Sequence, residues 1–330
     1  MGGTTKFIIG MRDAFFEDLY EIARKDKNVV LISADNGAPT LDRFWKDLPD
    51  QCFTVGIAEQ QMIGMAAGMA FEGKKVYAYA IAPFVTTRVH EQNKLDICAM
   101  NLPVVNVGVG AGYAYDIMGP SHHTVEDISI MRALPNMKIH SPADSICAKA
   151  LARISYEDPS PQYIRFDRAG IPALYEGRTL DFNQGMAEAR PGGRDLVIIA
   201  TGIMVHQALR VAEELGGRGL DVGVVDLYRI KPVNEALLFQ VVGRTPRIVT
   251  LEEHLLSGGM GSSIAEIFVD HGVTTPMLRI GQDDRFVFDY GGRQVIWKKY
   301  GLDVPGISSK ILRWLEKSAV SPLPAFQNDH

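Results

Sequence analysis

Short, uninterrupted apolar runs recur along this 330-residue chain, and they constrain its fold more than any other feature. Val29-Val30-Leu31-Ile32, Val76-Tyr77-Ala78-Tyr79, Val104-Val105-Asn106-Val107 and Tyr163-Ile164-Arg165-Phe166 are rich in β-branched and aromatic residues and do not alternate between apolar and polar. A strand that is apolar on both faces is buried on both faces, as in a parallel sheet held between helix layers. The segments between the runs supply such helices. Phe15, Leu19, Ile22 and Ala23 follow helical spacing, and so do Ile128, Met131 and Leu134. Thr124, with Asp127 three places on, predicts a capping box at the start of the second of these helices.

The pattern pauses between Gly170 and Arg194, a stretch rich in Gly, Pro and charge that reads as a linker with room for one strand. It then resumes, with strands expected at 196–200, 222–225 and 248–251 and helices at 205–215, 234–242 and 262–269. The expectation is an α/β protein of two domains, residues 1–177 and 178–330, each a mostly parallel sheet flanked by helices. The length agrees, at roughly 150 residues per domain. A hydrophobic fraction of 46% excludes disorder. A net charge of −5 argues against non-specific nucleic-acid binding, which needs a positive face. Cys52, Cys98 and Cys147 lie far apart with no CxxC, which argues against a disulfide framework or a Cys-type zinc site and makes a reduced, cytoplasmic setting the expectation. No apolar run reaches the roughly 18–20 residues of a spanning helix. Met1 to Lys6 contains no secretory core, and Lys6 stands where myristoylation requires Ser or Thr. The tail after Lys317 reads as a frayed end.

Several segments have the residue types for chemistry. In Gly56-Ile57-Ala58-Glu59-Gln60-Gln61, followed by the apolar stretch Met62–Ala70, one carboxylate heads about ten small or apolar residues, and Gly64 and Gly68 permit close approach of another helix. A helix that is apolar all round is buried in a core or an interface. Glu59 therefore belongs at the start of a buried helix, where burial disfavours a carboxylate and the helix N-terminus favours one. The plainer reading is a Glu that satisfies first-turn amides. Gly108-Val109-Gly110-Ala111-Gly112, then Met118-Gly119-Pro120-Ser121-His122-His123, places a Gly-rich turn and a His pair after a buried strand, where ligands bind in parallel sheets. A neutral His122 there can serve a substrate oxygen or an anion, or simply cap a helix. Adjacent His side chains diverge, and no HExxH or acidic cluster accompanies them, so no metal site is expected in this chain.

Arg165 and Arg168, in Arg165-Phe166-Asp167-Arg168, end a predicted strand and suit a phosphate or carboxylate; ion pairs with Asp167 are the alternative. Phe84, in Ala82-Pro83-Phe84-Val85-Thr86-Thr87-Arg88, opens a helix after a strand and can stack on a planar ring or pack in the core. Ser257–Ser263 reads as a tight strand–helix turn, and Glu252-Glu253-His254 as polarity at a domain contact.

Taken together, these segments resemble the carboxyl-terminal half of the transketolase family over nearly the whole chain, particularly the second subunit of split, two-gene transketolases and more distantly 1-deoxyxylulose-5-phosphate synthase. The residues that carry the resemblance are Gly56–Gln60, Gly119–Asp127, Ser141–Asp144, Val225–Pro232 and Thr250–His254 with the turn that follows. It implies a thiamine diphosphate enzyme that transfers a two-carbon ketol unit from a ketose or ketose phosphate to an aldose acceptor. Residues 1–177 would be its pyrimidine-binding domain and 178–330 its transketolase carboxyl-terminal domain. By the resemblance, Glu59 hydrogen-bonds the N1′ atom of the cofactor's aminopyrimidine, Phe84 stacks on that ring, and Arg88 belongs to the same cofactor site. His122 contacts substrate hydroxyls near the reacting carbon, one of Arg165 and Arg168 holds a substrate phosphate, and Asp35 is a substrate-side acid. Two positions depart from the pattern. Met118 stands where the family has an Asp that reads a substrate hydroxyl, and Val109 where the synthase has an Arg.

The chain also contains no Gly-Asp-Gly, the family's motif for Mg²⁺ and diphosphate. The implied arrangement is an α2β2 assembly in which an amino-terminal subunit brings Mg²⁺ and the diphosphate-binding half. Two readings compete: the β subunit of a 2-oxoacid dehydrogenase, and a non-catalytic scaffold subunit.

Overall fold

The computed structural model describes residues 9–35, 37–168 and 170–320, and it arranges the apolar runs as two largely parallel sheets. The first contains β1 (Val29–Ser33), β2 (Cys52–Thr54), β3 (Lys75–Ile81), β4 (Val104–Val109), β5 (Lys138–His140), β6 (Gln162–Phe166) and β10 (Arg229–Lys231), in the spatial order β10-β5-β6-β4-β3-β1-β2. The second contains β7 (Ala187–Arg190), β8 (Leu196–Ala200), β9 (Val222–Asp226), β11 (Ile248–Leu255) and β12 (Met277–Gln282), in the order β12-β11-β8-β9-β7. All residues of β1, β4, β6, β8 and β9 are buried, as expected for strands covered on both faces. Only the edge strands β10 and β7 run antiparallel to their neighbours.

Helix layers complete each half. Met11–Ala23 buries Phe15, Phe16 and Leu19 on one face of the first sheet, and Glu59–Phe71 packs Met62, Ile63 and Ala66 on the other. In the second half, Met204–Gly216 and Val304–Val320 cover one face with Val205, Val211, Leu215, Ile307 and Ile311. That last helix continues past Lys317; the readings of the amino terminus and of the tail beyond residue 320 lie outside the described residues. Among the described residues no helix is long and apolar enough to cross a membrane.

Two expectations are corrected. The capping box at Thr124 and Asp127 does not form. The helix is Asp127–Arg132 with Glu126 at its N-cap, and no side chain caps it. Asp127 is drawn instead to Arg165 (2.7 Å) and the Tyr163 hydroxyl (2.6 Å), while Thr124 pairs with Gly112 in an isolated bridge. The stretch Met62–Ala70, expected to be buried all round, buries one face only. Gln61, Gly64 and Gly68 are exposed, and a Cβ added at either glycine would meet nothing within 4 Å.

The halves are locked together by buried charge. Glu253 on β11 accepts from Arg293, the Trp297 indole and the Tyr113 amide, and Arg293 also donates to Asp167 (2.5 Å). The Arg293 amide donates to Asp116 (2.7 Å). His254 accepts the Ile128 N–H at Nε2 (3.2 Å) and donates from Nδ1 to the Leu255 carbonyl (2.7 Å), which assigns it the neutral tautomer. Glu252 accepts the amides of Met260 and Gly261 at the start of the helix Met260–Asp270. The glycine turn there therefore holds an internal carboxylate, and the Glu252–His254 segment is the domain contact expected from the sequence.

Candidate active site

The candidate residues gather at the carboxyl ends of four neighbouring strands, where the sheet edge opens into a crevice. Asp35 follows β1, Phe84 follows β3, the Gly110 turn follows β4, and Asp167 and Arg168 follow β6. Glu59 opens the helix that crosses over from β2 to β3. The strand order therefore brings together residues more than a hundred positions apart.

Glu59 is 5% exposed. Its Oε2 accepts from Nη1 of Arg88 at 2.8 Å, and among the described residues its Oε1 has no partner. Arg88 also lies over the Phe84 ring, 3.6 Å from guanidinium carbon to centroid. Glu59 and Phe84, with Asp35, Ile57 and Ile81, line a cavity of about 130 Å³. Apolar cavities of about 150 Å³ hold a benzene ring, so this one suits a single six-membered ring, with a carboxylate at its edge and an aromatic face beside it. That is the fit an aminopyrimidine requires.

His122 stands next to Phe84. Its ring meets the Phe84 ring edge-on at 5.3 Å, and on its other side it meets Tyr115 at 5.8 Å. Its Nδ1 bonds the Ser121 hydroxyl at 3.0 Å. Burial first, and then the charge of Arg88, push His122 below the usual imidazole range, so the neutral ring is favoured. Tyr115 in turn lies under the Arg168 guanidinium at 4.9 Å. The Tyr115 ring rests on Gly110, whose φ is +100° and where a Cβ would collide with it. The result is a continuous row from Arg88 through Phe84, His122 and Tyr115 to Arg168.

The two arginines separate. Arg165 is buried, with Nε on Asp127 (2.7 Å) and Nη2 on the Thr124 carbonyl (3.2 Å). Arg168 is exposed and touches the aromatic row. Met118 is 51% exposed on the loop carrying His122, whereas Val109 is buried at the end of β4. Sequence reasoning missed Tyr115 and Arg293. A glycine that must adopt positive φ just before an aromatic was a usable signal for the first, but nothing local marks a residue whose partners lie 40 and 126 positions away. Among the described residues, no group of three or more His, Cys, Asp or Glu is placed to hold a metal ion.

Residues 8–172 match the transketolase pyrimidine-binding domain and residues 185–307 the transketolase C-terminal domain. This chain belongs to the transketolase family. One of the two subunits of an apulose-4-phosphate transketolase from Phocaeicola vulgatus is 36% identical over 311 residues, covering 94% of this chain and 99% of that protein. A 6-deoxy-6-sulfo-D-fructose transketolase subunit of a Clostridium species is 34% identical over 294 residues, covering 88% and 90%. A solved split-gene transketolase, described as an inactive β4 tetramer, superposes with a TM-score of 0.82 at 32% identity and covers 92% of this chain and 98% of its own. This transketolase chain is thus of the beta-subunit type of split enzymes, and its family implies thiamine diphosphate.

Proposed function

We propose that this chain transfers a two-carbon ketol unit between a ketose and an aldose, and that it does so only in complex with an amino-terminal transketolase subunit. The observation that supports this most is the convergence of a buried carboxylate and an aromatic ring on one ring-sized cavity at the crevice of the sheet. Bound thiamine diphosphate supplies an acidic thiazolium carbon and an electron sink for the transferred fragment. Glu59 holds the proton at the N1′ atom of the aminopyrimidine, Phe84 offers its face to that ring, and Arg88 belongs to the same cofactor site. Neutral His122 hydrogen-bonds substrate oxygens beside the reacting carbon, and Asp35, on the rim of the same cavity, faces the substrate side. Of the two arginines, Arg168 is the one for a terminal anion, since the Arg165 guanidinium is already committed to Asp127. Both relatives named above have phosphorylated or sulfonated sugars in their names, which suits that assignment. Met118, which lacks the hydrogen-bonding capacity of the usual acid, fits a donor or acceptor that is less hydroxylated or otherwise modified at that point.

The partner is proposed to bring Mg²⁺ and the diphosphate-binding half, in a cytoplasmic α2β2 complex. Three features support it: the missing Gly-Asp-Gly, the exposed Gly64–Gly68 face, and Ile57 and Phe71, which are 75% and 67% exposed nearby in sequence. The test is ketol transfer measured for this chain alone and after mixing with a complementary amino-terminal subunit. Activity is expected only in the mixture; full activity of the chain alone would contradict the reading.

A further inference from the structure

We propose that Arg88 is a positioning residue: from behind the cavity it holds Oε2 of Glu59 and backs one face of Phe84, so that Oε1 and the opposite ring face are presented to the cofactor. The inference rests on the cofactor reading above and refines how Arg88 takes part in it. Arg88 touches both residues that define the ring site, at 2.8 Å and 3.6 Å, yet it does not line the cavity they share with Asp35 and Ile57. A guanidinium can do both because it is planar, stacking through its face while donating from its edge. A glutamate at the first position of a helix has several rotamers open to it. Tying one oxygen to a fixed donor selects one of them and leaves the second oxygen directed into the cavity.

The segment that carries Arg88 is itself pinned from two sides. The Gln60 side chain donates to the Arg88 carbonyl at 3.4 Å, which joins the segment to the Glu59 helix. The Thr87 hydroxyl donates to Glu126 at 3.2 Å, which joins it to the loop bearing His122. Arg88 thereby links the cofactor side of the crevice to the substrate side. His122 is faced by Arg88, Tyr115, Phe84, Ser121 and His123; the charge of Arg88 adds to burial in favouring the neutral imidazole.

Arg88→Met, which keeps the stem and removes the fork, and Arg88→Lys, which keeps the charge without the planar fork, separate the possibilities. Thiamine diphosphate binding is measured by calorimetry on the complex with a complementary amino-terminal subunit, and the His122 titration is followed by NMR on the isolated chain. Arg88→Met is expected to weaken cofactor binding by about tenfold or more, the usual size of the effect when a residue that orients a contact is lost. It should also raise the pH at which His122 titrates, and Arg88→Lys should restore the titration but only part of the cofactor affinity. Cofactor binding by Arg88→Met that equals or exceeds wild type overturns the inference, because Arg88 would then be a bystander or an occupant of the ring site. An unchanged His122 titration overturns the link to the substrate side. A wild-type complex that binds no thiamine diphosphate overturns the cofactor reading itself, a separate result from wild type and variant binding alike.

Discussion

At the scale of single residues, the crevice contains two arginines that the sequence leaves equivalent and the fold does not. Arg165 and Asp127 form a buried pair with Tyr163 on the same carboxylate oxygen. Removing one member of a buried pair strands the other charge, at a cost of about 3–5 kcal/mol. Arg165→Ala should therefore lower the thermal midpoint of the chain sharply, whereas Arg168→Ala should leave it in place. In the assembled enzyme, Arg168→Ala should raise KM for an anionic substrate more than it lowers kcat. Thermal denaturation together with steady-state kinetics checks both halves; equal stability loss in the two variants would contradict the separation. Glu59 and Phe84 were legible in the sequence because each sits in a short segment whose composition is unusual by itself. The roles of Arg165 and Arg168 were not, because the Asp127 partner lies 38 positions away and Thr124 offered a local alternative for that same aspartate.

Among elements, the helix Glu59–Phe71 makes the sharpest prediction. One side packs Met62, Ile63, Ala66 and Ala70 against the first sheet, and the other exposes Gly64 and Gly68. A side chain at Gly68 meets nothing within the chain, so Gly68→Leu should fold normally, with an unchanged circular-dichroism spectrum. If that face receives the partner subunit, the same variant should fail to assemble with it in light scattering; intact assembly would move the interface elsewhere. The strands show where sequence reasoning works and where it stops. β1, β4, β6, β8 and β9 were readable as continuous apolar runs. β5 and β10 were missed because each has three residues, too few for any period, and β10 joins the first sheet from the second half of the chain.

For the whole molecule, the contact between the halves carries a pH dependence. Burial pushes His254 down to about 4, with Asp127 opposing, and pushes His140 down to about 3. The unfolded chain takes up these protons near the ordinary value of 6.5, and the folded chain does so only below about 4. Between those limits the unfolded state binds more protons, so this contribution is fully present above pH 6.5 and is lost progressively as pH falls. Protonation of His254 at Nε2 would also sever its bond to the Ile128 amide, loosening the helix that follows His122. The thermal midpoint should fall steadily from pH 6.5 to pH 4; a flat profile there would contradict the buried neutral assignment. The central claim is that the Glu59 carboxylate, shut away from water at the crevice, serves the cofactor of a transketolase completed by a second subunit. Its most direct test is the assembled complex with Glu59→Gln, in which thiamine diphosphate affinity and ketol transfer are measured together. The account predicts that the cofactor stays bound while turnover falls by about a hundredfold or more, the range for a lost proton-transfer group; turnover within a few-fold of wild type would contradict it.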